Sequence, residues 1–282
     1  MRTKKEMPEE LLKKWKEFLS EYSFQSPVYP VHFAKIMKKN TGMAAQNTVY
    51  ELEPDGMERK NPVIVVLGDS ISAGHFEWAI GQDEVEKFLS GELKESEEKV
   101  LEVVDLKAVY HEQFRMMLAN YYGNTSVSVV NAGIAGDTLW GMKKRLHRDV
   151  LCYQPDLIIL NGSMNWNDTL GSTKDYQELL EMTIEDILRS TDADMILMTP
   201  NFSSPLDPVD IVKLRERVEC IRSAADKFHL CMADVYGFWE RFCEKYDPVV
   251  SEMLANGINH PTAAGHTVYA ECLMQLVRRA AE

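Results

Sequence analysis

At 282 residues, 45% of them hydrophobic and 27% charged, the chain can form one large α/β domain or two small ones and lies far from compositions that stay unfolded. Its 44 acidic residues against 31 basic ones give a formal net charge of −13, and the basic residues fall in short clusters such as Lys4-Lys5 and Lys143-Lys144-Arg145. The cationic stripe that nucleic acid or an anionic membrane surface demands is missing, which disfavours both as partners.

The amino terminus, MRTKKEMPEELLKKWKEF, is charged where a secretory signal needs an apolar stretch. No segment approaches the ~20 apolar residues of a membrane span, so the expected address is the cytoplasm and no membrane is expected as a partner. Five cysteines, with no C-x-x-C pair, read as buried reduced thiols; no metal site and no cofactor motif is visible.

Residues 1–60 read as an amino-terminal extension that packs on the main domain. It holds a predicted helix over Glu9 to Glu21 and a possible strand over Thr48 to Leu52, before the turn-like Glu53-Pro54-Asp55-Gly56. From residue 61 to 282 the pattern changes. Five short, almost wholly apolar runs follow one another: Val63 to Leu67, Val127 to Val130, Leu157 to Leu160, Met195 to Met198 and Leu230 to Ala233. Strands buried on both faces read this way.

Between the runs lie amphipathic segments in which apolar residues recur at three- and four-residue spacing. Leu106, Val109, Tyr110, Phe114, Met117, Leu118 and Tyr121 form one, and Ile211, Leu214, Val218, Ile221, Ala225 and Phe228 another. Alternating strands and helices imply an α/β fold, a three-layer α/β/α sandwich around a mainly parallel, flavodoxin-like five-stranded sheet. One stretch interrupts the order. Residues 78–104, acidic and containing GELKESEEK, read as an insertion after the first strand; a solvated surface excursion and a lid both fit.

The first apolar run leads directly into Gly68-Asp69-Ser70, which puts a hydroxyl at the carboxyl end of a buried parallel strand, where open α/β sheets place their ligands. Ser70 is thereby a candidate nucleophile, although the tripeptide alone also fits a serine that caps the next helix. The second run leads into NAGIAGDT, whose glycines allow backbone amides to approach a ligand, with Gly136 a candidate oxyanion donor or part of a tight turn. The third leads into Asn161-Gly162-Ser163-Met164-Asn165, where an amide just past a strand end can meet developing negative charge or simply close its own loop.

Late in the chain, Asn259-His260-Pro261 introduces the final helical segment and holds an imidazole on a fixed loop, as a general base requires. His111, His147 and His266 fall at helix positions, where packing or surface roles are expected. The absence of G-x-S-x-G argues against the α/β-hydrolase nucleophile elbow, and no nucleotide-binding glycine motif or H-E-x-x-H is present.

These four blocks, in this order, resemble the SGNH superfamily, the GDSL-type esterases and lipases, from about residue 61 to the carboxyl terminus. The resemblance implies Ser70 as nucleophile, His260 as general base, and an oxyanion hole made by Ser70, Gly136 and Asn165. It also marks Arg145-Leu146 and Asp149-Val150 as a structural connection. Three positions depart from the family's pattern. Gly257 stands where the family places an Asp three residues before its His, leaving Asn256, Asp234 or a backbone carbonyl as candidates to orient His260. Trp166 follows Asn165 where an Asp is usual, which makes Asn167 a second choice for the donor. Gly162-Ser163-Met164 replaces the more usual glycine before the Asn.

The resemblance implies a serine ester hydrolase acting through an acyl-enzyme. The expected substrate is a small-molecule ester, with short acyl groups, above all acetyl, released from a carbohydrate or small metabolite. Trp78, Trp140 and Trp166, each close to a motif, are equally suited to lining the pocket or to the core. An acyltransferase or acyl-CoA thioesterase on the same site, and a catalytically silent binding domain, are the competing readings. The sequence fixes no oligomeric state.

Overall fold

A computed structural model describes residues 6–41, 61–92, 101–205 and 211–282. The possible strand at 48–52 and the turn at 53–56 lie outside the described residues.

The chain opens with helix α1 (Glu9–Glu21), matching the expected span, and α2 (Val31–Lys39). Strand β1 (Val63–Gly68) leads into the one-turn helix α3 (Ser70–Ala73), then β2 (His75–Trp78), α4 (Gln82–Leu89) and β3 (Glu102–Val104). There follow α5 (Tyr110–Tyr121), β4 (Ser128–Gly133), α6 (Leu139–Asp149), β5 (Leu157–Asn161), α7 (Thr173–Ser190), β6 (Asp194–Met198), α8 (Ile211–Phe228), β7 (Cys231–Ala233), α9 (Val235–Tyr246) and α10 (Ala263–Ala281).

Five strands form one wholly parallel sheet in the order β4-β1-β5-β6-β7. The order is that of a flavodoxin-like sheet, as the alternation of apolar runs and helical periodicity predicts. β1 pairs with β4 on one side and β5 on the other, so connections depart in opposite directions from its carboxyl end. The crevice at that switch point is where this architecture binds ligands.

Alternate residues of each central strand feed two separate cores. Ile64, Val66, Ile159, Ile196 and Met198 face the layer built from α1, α2, α5, α9 and α10, while Val65, Leu67, Ile158, Leu160, Met195 and Leu197 face α6, α7 and α8. Burial on both faces is why these strands carry no polar alternation.

The first helix is fastened to the domain by Trp15. Its ring meets Phe238, Trp239 and Phe242 edge-on at centroid distances of 4.9, 5.0 and 4.7 Å, and its Nε1 donates to the Ala264 carbonyl at 3.1 Å. Edge-to-face contacts of this kind add to the burial of a large ring.

The thiols depart in part from expectation: Cys220, Cys231 and Cys272 are buried, but Cys243 is half-buried and Cys152 is exposed after α6, with its Sγ on the Arg148 carbonyl. No helix among the described residues is long and apolar enough to cross a membrane.

Candidate active site

Ser70 owes its position to the turn that ends β1. Asp69 leaves the strand in an extended conformation and its Oδ1 accepts from the Ile71 amide at 3.0 Å, capping α3, so Ser70 becomes the first helical residue above the sheet. It is Asp69, rather than Ser70, that caps this helix. The Asp69 carboxyl is fully buried, and burial outweighs its cap bond and lifts its pKa to about 6.

His260 arrives from the opposite end of the chain on the loop before α10. Its Nε2 lies 2.9 Å from Ser70 Oγ, and both residues are buried. Three backbone amides, those of Ile258, Asn259 and His260, converge on Asn256 Oδ1 at 2.9–3.0 Å and fix the loop that carries the imidazole. Asn256 therefore shapes the backbone under His260 and makes no contact with the ring's nitrogens. Asp234 is engaged elsewhere: it caps α9 through the Gly237 amide, accepts from Thr199 Oγ1 and pairs with Arg222. An Asp between a strand and a helix serves as an N-cap, and here that role consumes it.

Two acceptors face His260 Nδ1. The Phe76 carbonyl lies at 3.3 Å, and Oε1 of Glu102 at 3.2 Å. Glu102 was not singled out by any motif, being one carboxylate in an acidic stretch. Its other oxygen lies 2.9 Å from His75 Nδ1. The stretch that reads as a solvated excursion or lid thus supplies β3, which pairs antiparallel with β2 and holds the Glu102 side chain only 15% exposed. Residues 93–100, which include most of GELKESEEK, lie outside the described residues.

These contacts set the charges. Burial pulls the His260 pKa down, but the hydrogen bond and charge of Glu102, helped by the Phe76 carbonyl and the charge of Asp69, outweigh it and leave it raised. Burial pushes Glu102 up, and its two imidazole partners pull it down further, to about 2. The carboxylate is charged throughout the working range of an imidazole base.

The loops after β4 and β5 meet beside α3. Gly136 sits at φ +69°, a left-handed conformation that glycine adopts without penalty. The next residue, Asp137, accepts at its carbonyl from Asn165 Nδ2 at 3.0 Å, which brings the two loops into register. Arg145 of α6 ties the same region together from below, through the carbonyls of Gly68 and Ala132 and the carboxylates of Asp137 and Asp149. Asn167 is exposed and its Oδ1 accepts from the Thr169 amide and hydroxyl, an Asx-turn that takes it out of this cluster.

The three tryptophans part company. Trp166 is core, packed on Tyr176 with its Nε1 on the Gly171 carbonyl. Trp78 ties β2 to the histidine loop through the Asn256 carbonyl at 2.9 Å, and Trp140 is 44% exposed at the start of α6. His111 and His266 are buried in helices α5 and α10.

A parallel α/β/α sandwich with a serine hydroxyl and an imidazole in contact at its switch point, and no G-x-S-x-G motif, belongs among the esterases of the hydrolase class. The chain belongs to the GDSL-like lipase/acylhydrolase family, whose model matches residues 66–268. It is an ester hydrolase.

Solved structures share the fold. A lipase/acylhydrolase from Enterococcus faecalis is 23% identical with a TM-score of 0.55, and an acetylxylan esterase from Geobacillus stearothermophilus is 20% identical with a TM-score of 0.56; each alignment covers 77% of this chain and 94% of the other. An α/β hydrolase enzyme from the metagenome of Lake Arreo, Spain, is 21% identical over 80% of this chain and 100% of its own, with a TM-score of 0.58. No curated protein matches the chain.

Proposed function

We propose that the protein is a serine esterase that removes short acyl groups, acetyl above all, from a carbohydrate or small metabolite. The observation that carries the chemistry is the 2.9 Å contact between Ser70 Oγ and His260 Nε2 in a buried site at the switch point. The preference for acetyl on a sugar draws on the acetylxylan esterase among the structures that share the fold.

In this reading the Ser70 proton passes to His260 Nε2 as Oγ bonds to the ester carbonyl carbon. The oxyanion that forms takes hydrogen bonds from the backbone amides of Ser70 and Gly136 and from Asn165. The Asn165 amide carries two N–H groups, one of which is fixed on the Asp137 carbonyl and sets the plane of the other. Collapse breaks the bond to the alkoxide, which leaves with the proton held on His260. Water then attacks the acyl-enzyme, gives its proton to the same imidazole, and Ser70 recovers its hydrogen as the carboxylic acid departs.

A series of p-nitrophenyl esters of rising chain length, with acetylated xylo-oligosaccharide beside it, tests both halves. Acetyl is expected to be turned over fastest, and Ser70→Ala or His260→Ala to lower kcat by about 1,000-fold or more. Wild-type protein that hydrolyses none of these esters, or Ser70→Ala that keeps full rate, contradicts the proposal; a preference for long chains contradicts the substrate class alone.

A further inference from the structure

The loop that presents His260 carries Gly257 where the family's pattern puts an acid, three residues before the His. Leu254 to His260 folds back on itself, the Ala255 amide donating to the His260 carbonyl at 2.7 Å and the Gly257 amide to the Leu254 carbonyl at 3.1 Å. At the centre of this turn Gly257 takes φ +72°, where a side chain is strained. With Asn256 Oδ1 committed to three backbone amides, the loop itself supplies only polar, uncharged groups.

Across from it stands the two-stranded β2–β3 sheet. Glu102 points both carboxylate oxygens inward, Oε1 at 3.2 Å from His260 Nδ1 and Oε2 at 2.9 Å from His75 Nδ1, with Asn256 Nδ2 at the long distance of 3.5 Å from Oε1. The Trp78 indole pins the same two-stranded sheet to the Asn256 carbonyl. Of the charged groups around this imidazole, Asp69 acts only through its field, since its Oδ1 is held by the Ile71 amide.

Resting on the reading of Ser70 and His260 as nucleophile and base, we propose that Glu102 takes the place of the family's missing acid: it orients His260 from β3, and His75 of β2 in turn holds Glu102. Donation of Nδ1–H to Oε1 leaves Nε2 as the lone-pair nitrogen facing the Ser70 hydroxyl, the tautomer a base needs. The carboxylate also stabilises the imidazolium that appears when the serine proton arrives. His75 Nδ1–H on the second oxygen stops the carboxylate rotating away. Both are positioning residues, since neither touches the ester. The Phe76 carbonyl, hydrogen-bonded to Nδ1 at 3.3 Å, is a neutral acceptor for the same N–H, so removing the acid is expected to cost only part of the rate.

The test combines kinetics with NMR titration of His260 in the intact chain, the resonance assigned by His260→Ala. Glu102→Gln is expected to lower kcat by about 100- to 10,000-fold with little change in KM, and to move both the His260 pKa and the acidic limb of the rate profile to lower pH. Glu102→Asp should recover part of the rate and most of the pKa. His75→Ala should give a smaller loss in the same direction. Gly257→Asp should leave the native rate unchanged or lower it.

Unaltered rate and His260 pKa in folded Glu102→Gln overturn the proposal, and so does a large gain in Gly257→Asp, which would mean that His260 lacks an acid. If Glu102→Gln does not fold, the wild-type titration decides: a His260 pKa at or below 6.5, the ordinary imidazole value, overturns it. A wild type that hydrolyses no ester, yet whose His260 pKa falls on Glu102→Gln, refutes the esterase reading and leaves the pairing of Glu102 with His260 in place.

Discussion

Arg145 donates from Nε to Asp137 Oδ2 at 2.7 Å, while its Nη2 reaches the carbonyl of Gly68 at 3.1 Å. One buried guanidinium thus joins the end of the strand before Ser70 to the residue after Gly136. The planar fork serves several acceptors at fixed angles, which a lysine ammonium cannot reproduce. Arg145→Lys should destabilise the fold by about 1–3 kcal/mol and, by displacing the Gly136 loop, lower kcat by about 10- to 100-fold. Denaturant melts and steady-state kinetics on one preparation check this; a loss of stability with an unchanged kcat separates Arg145 from the oxyanion loop.

Asn165 and Asn167 give a paired prediction. Asn165→Ala removes the side-chain donor proposed for the oxyanion and should cost about 100- to 1,000-fold in kcat with a small change in KM. Asn167→Ala, on an exposed Asx-turn, should remain within about twofold of wild type. Reversed effects would move the donor to Asn167.

Acid and base limbs follow from the pKa directions. His260 is raised above 6.5, so the neutral base appears only above that value and kcat/KM should rise with pH on a limb lying above 6.5. Glu102 falls from 4.5 to about 2 on folding, so its stabilisation is complete above pH 4.5 and is lost as pH drops through 2. Asp69 has the opposite sign: raised from 3.8 to about 6, it favours the fold when protonated, and that contribution is lost as pH rises through about 6. Removing the buried charge by Asp69→Asn, which keeps the cap acceptor, should therefore help stability more at pH 8 than at pH 4, measured by denaturant melts at both.

Trp15 anchors α1 rather than the site. Trp15→Ala should lower the unfolding free energy by about 3–5 kcal/mol, with kcat on p-nitrophenyl acetate at permissive temperature unchanged. A small stability cost would mean that α1 contributes little to the domain.

How much was legible follows from where each residue sits. The central strands were readable because burial on both faces leaves unbroken apolar runs. The edge strand was placed at 127–130, short of its observed end, because β4 continues through the solvent-facing Asn131 to Gly133. Ser70 and His260 announce themselves by local context, each beside a strand or helix boundary. Glu102 does not: its role arises from a contact 158 residues away, and nothing in the spacing of GELKESEEKVLEVV marks it. Asp234 looked eligible by position alone, and the helix it caps was the competing claim.

The central claim is that the hydroxyl of Ser70 is a nucleophile activated by His260. Treatment of the native protein with a fluorophosphonate, followed by peptide mass mapping, measures this directly. The account predicts one adduct per chain on the peptide containing Ser70, formed far more slowly in folded His260→Ala and abolished in Ser70→Ala. An adduct on another residue, or labelling at the same rate without the imidazole, would contradict it.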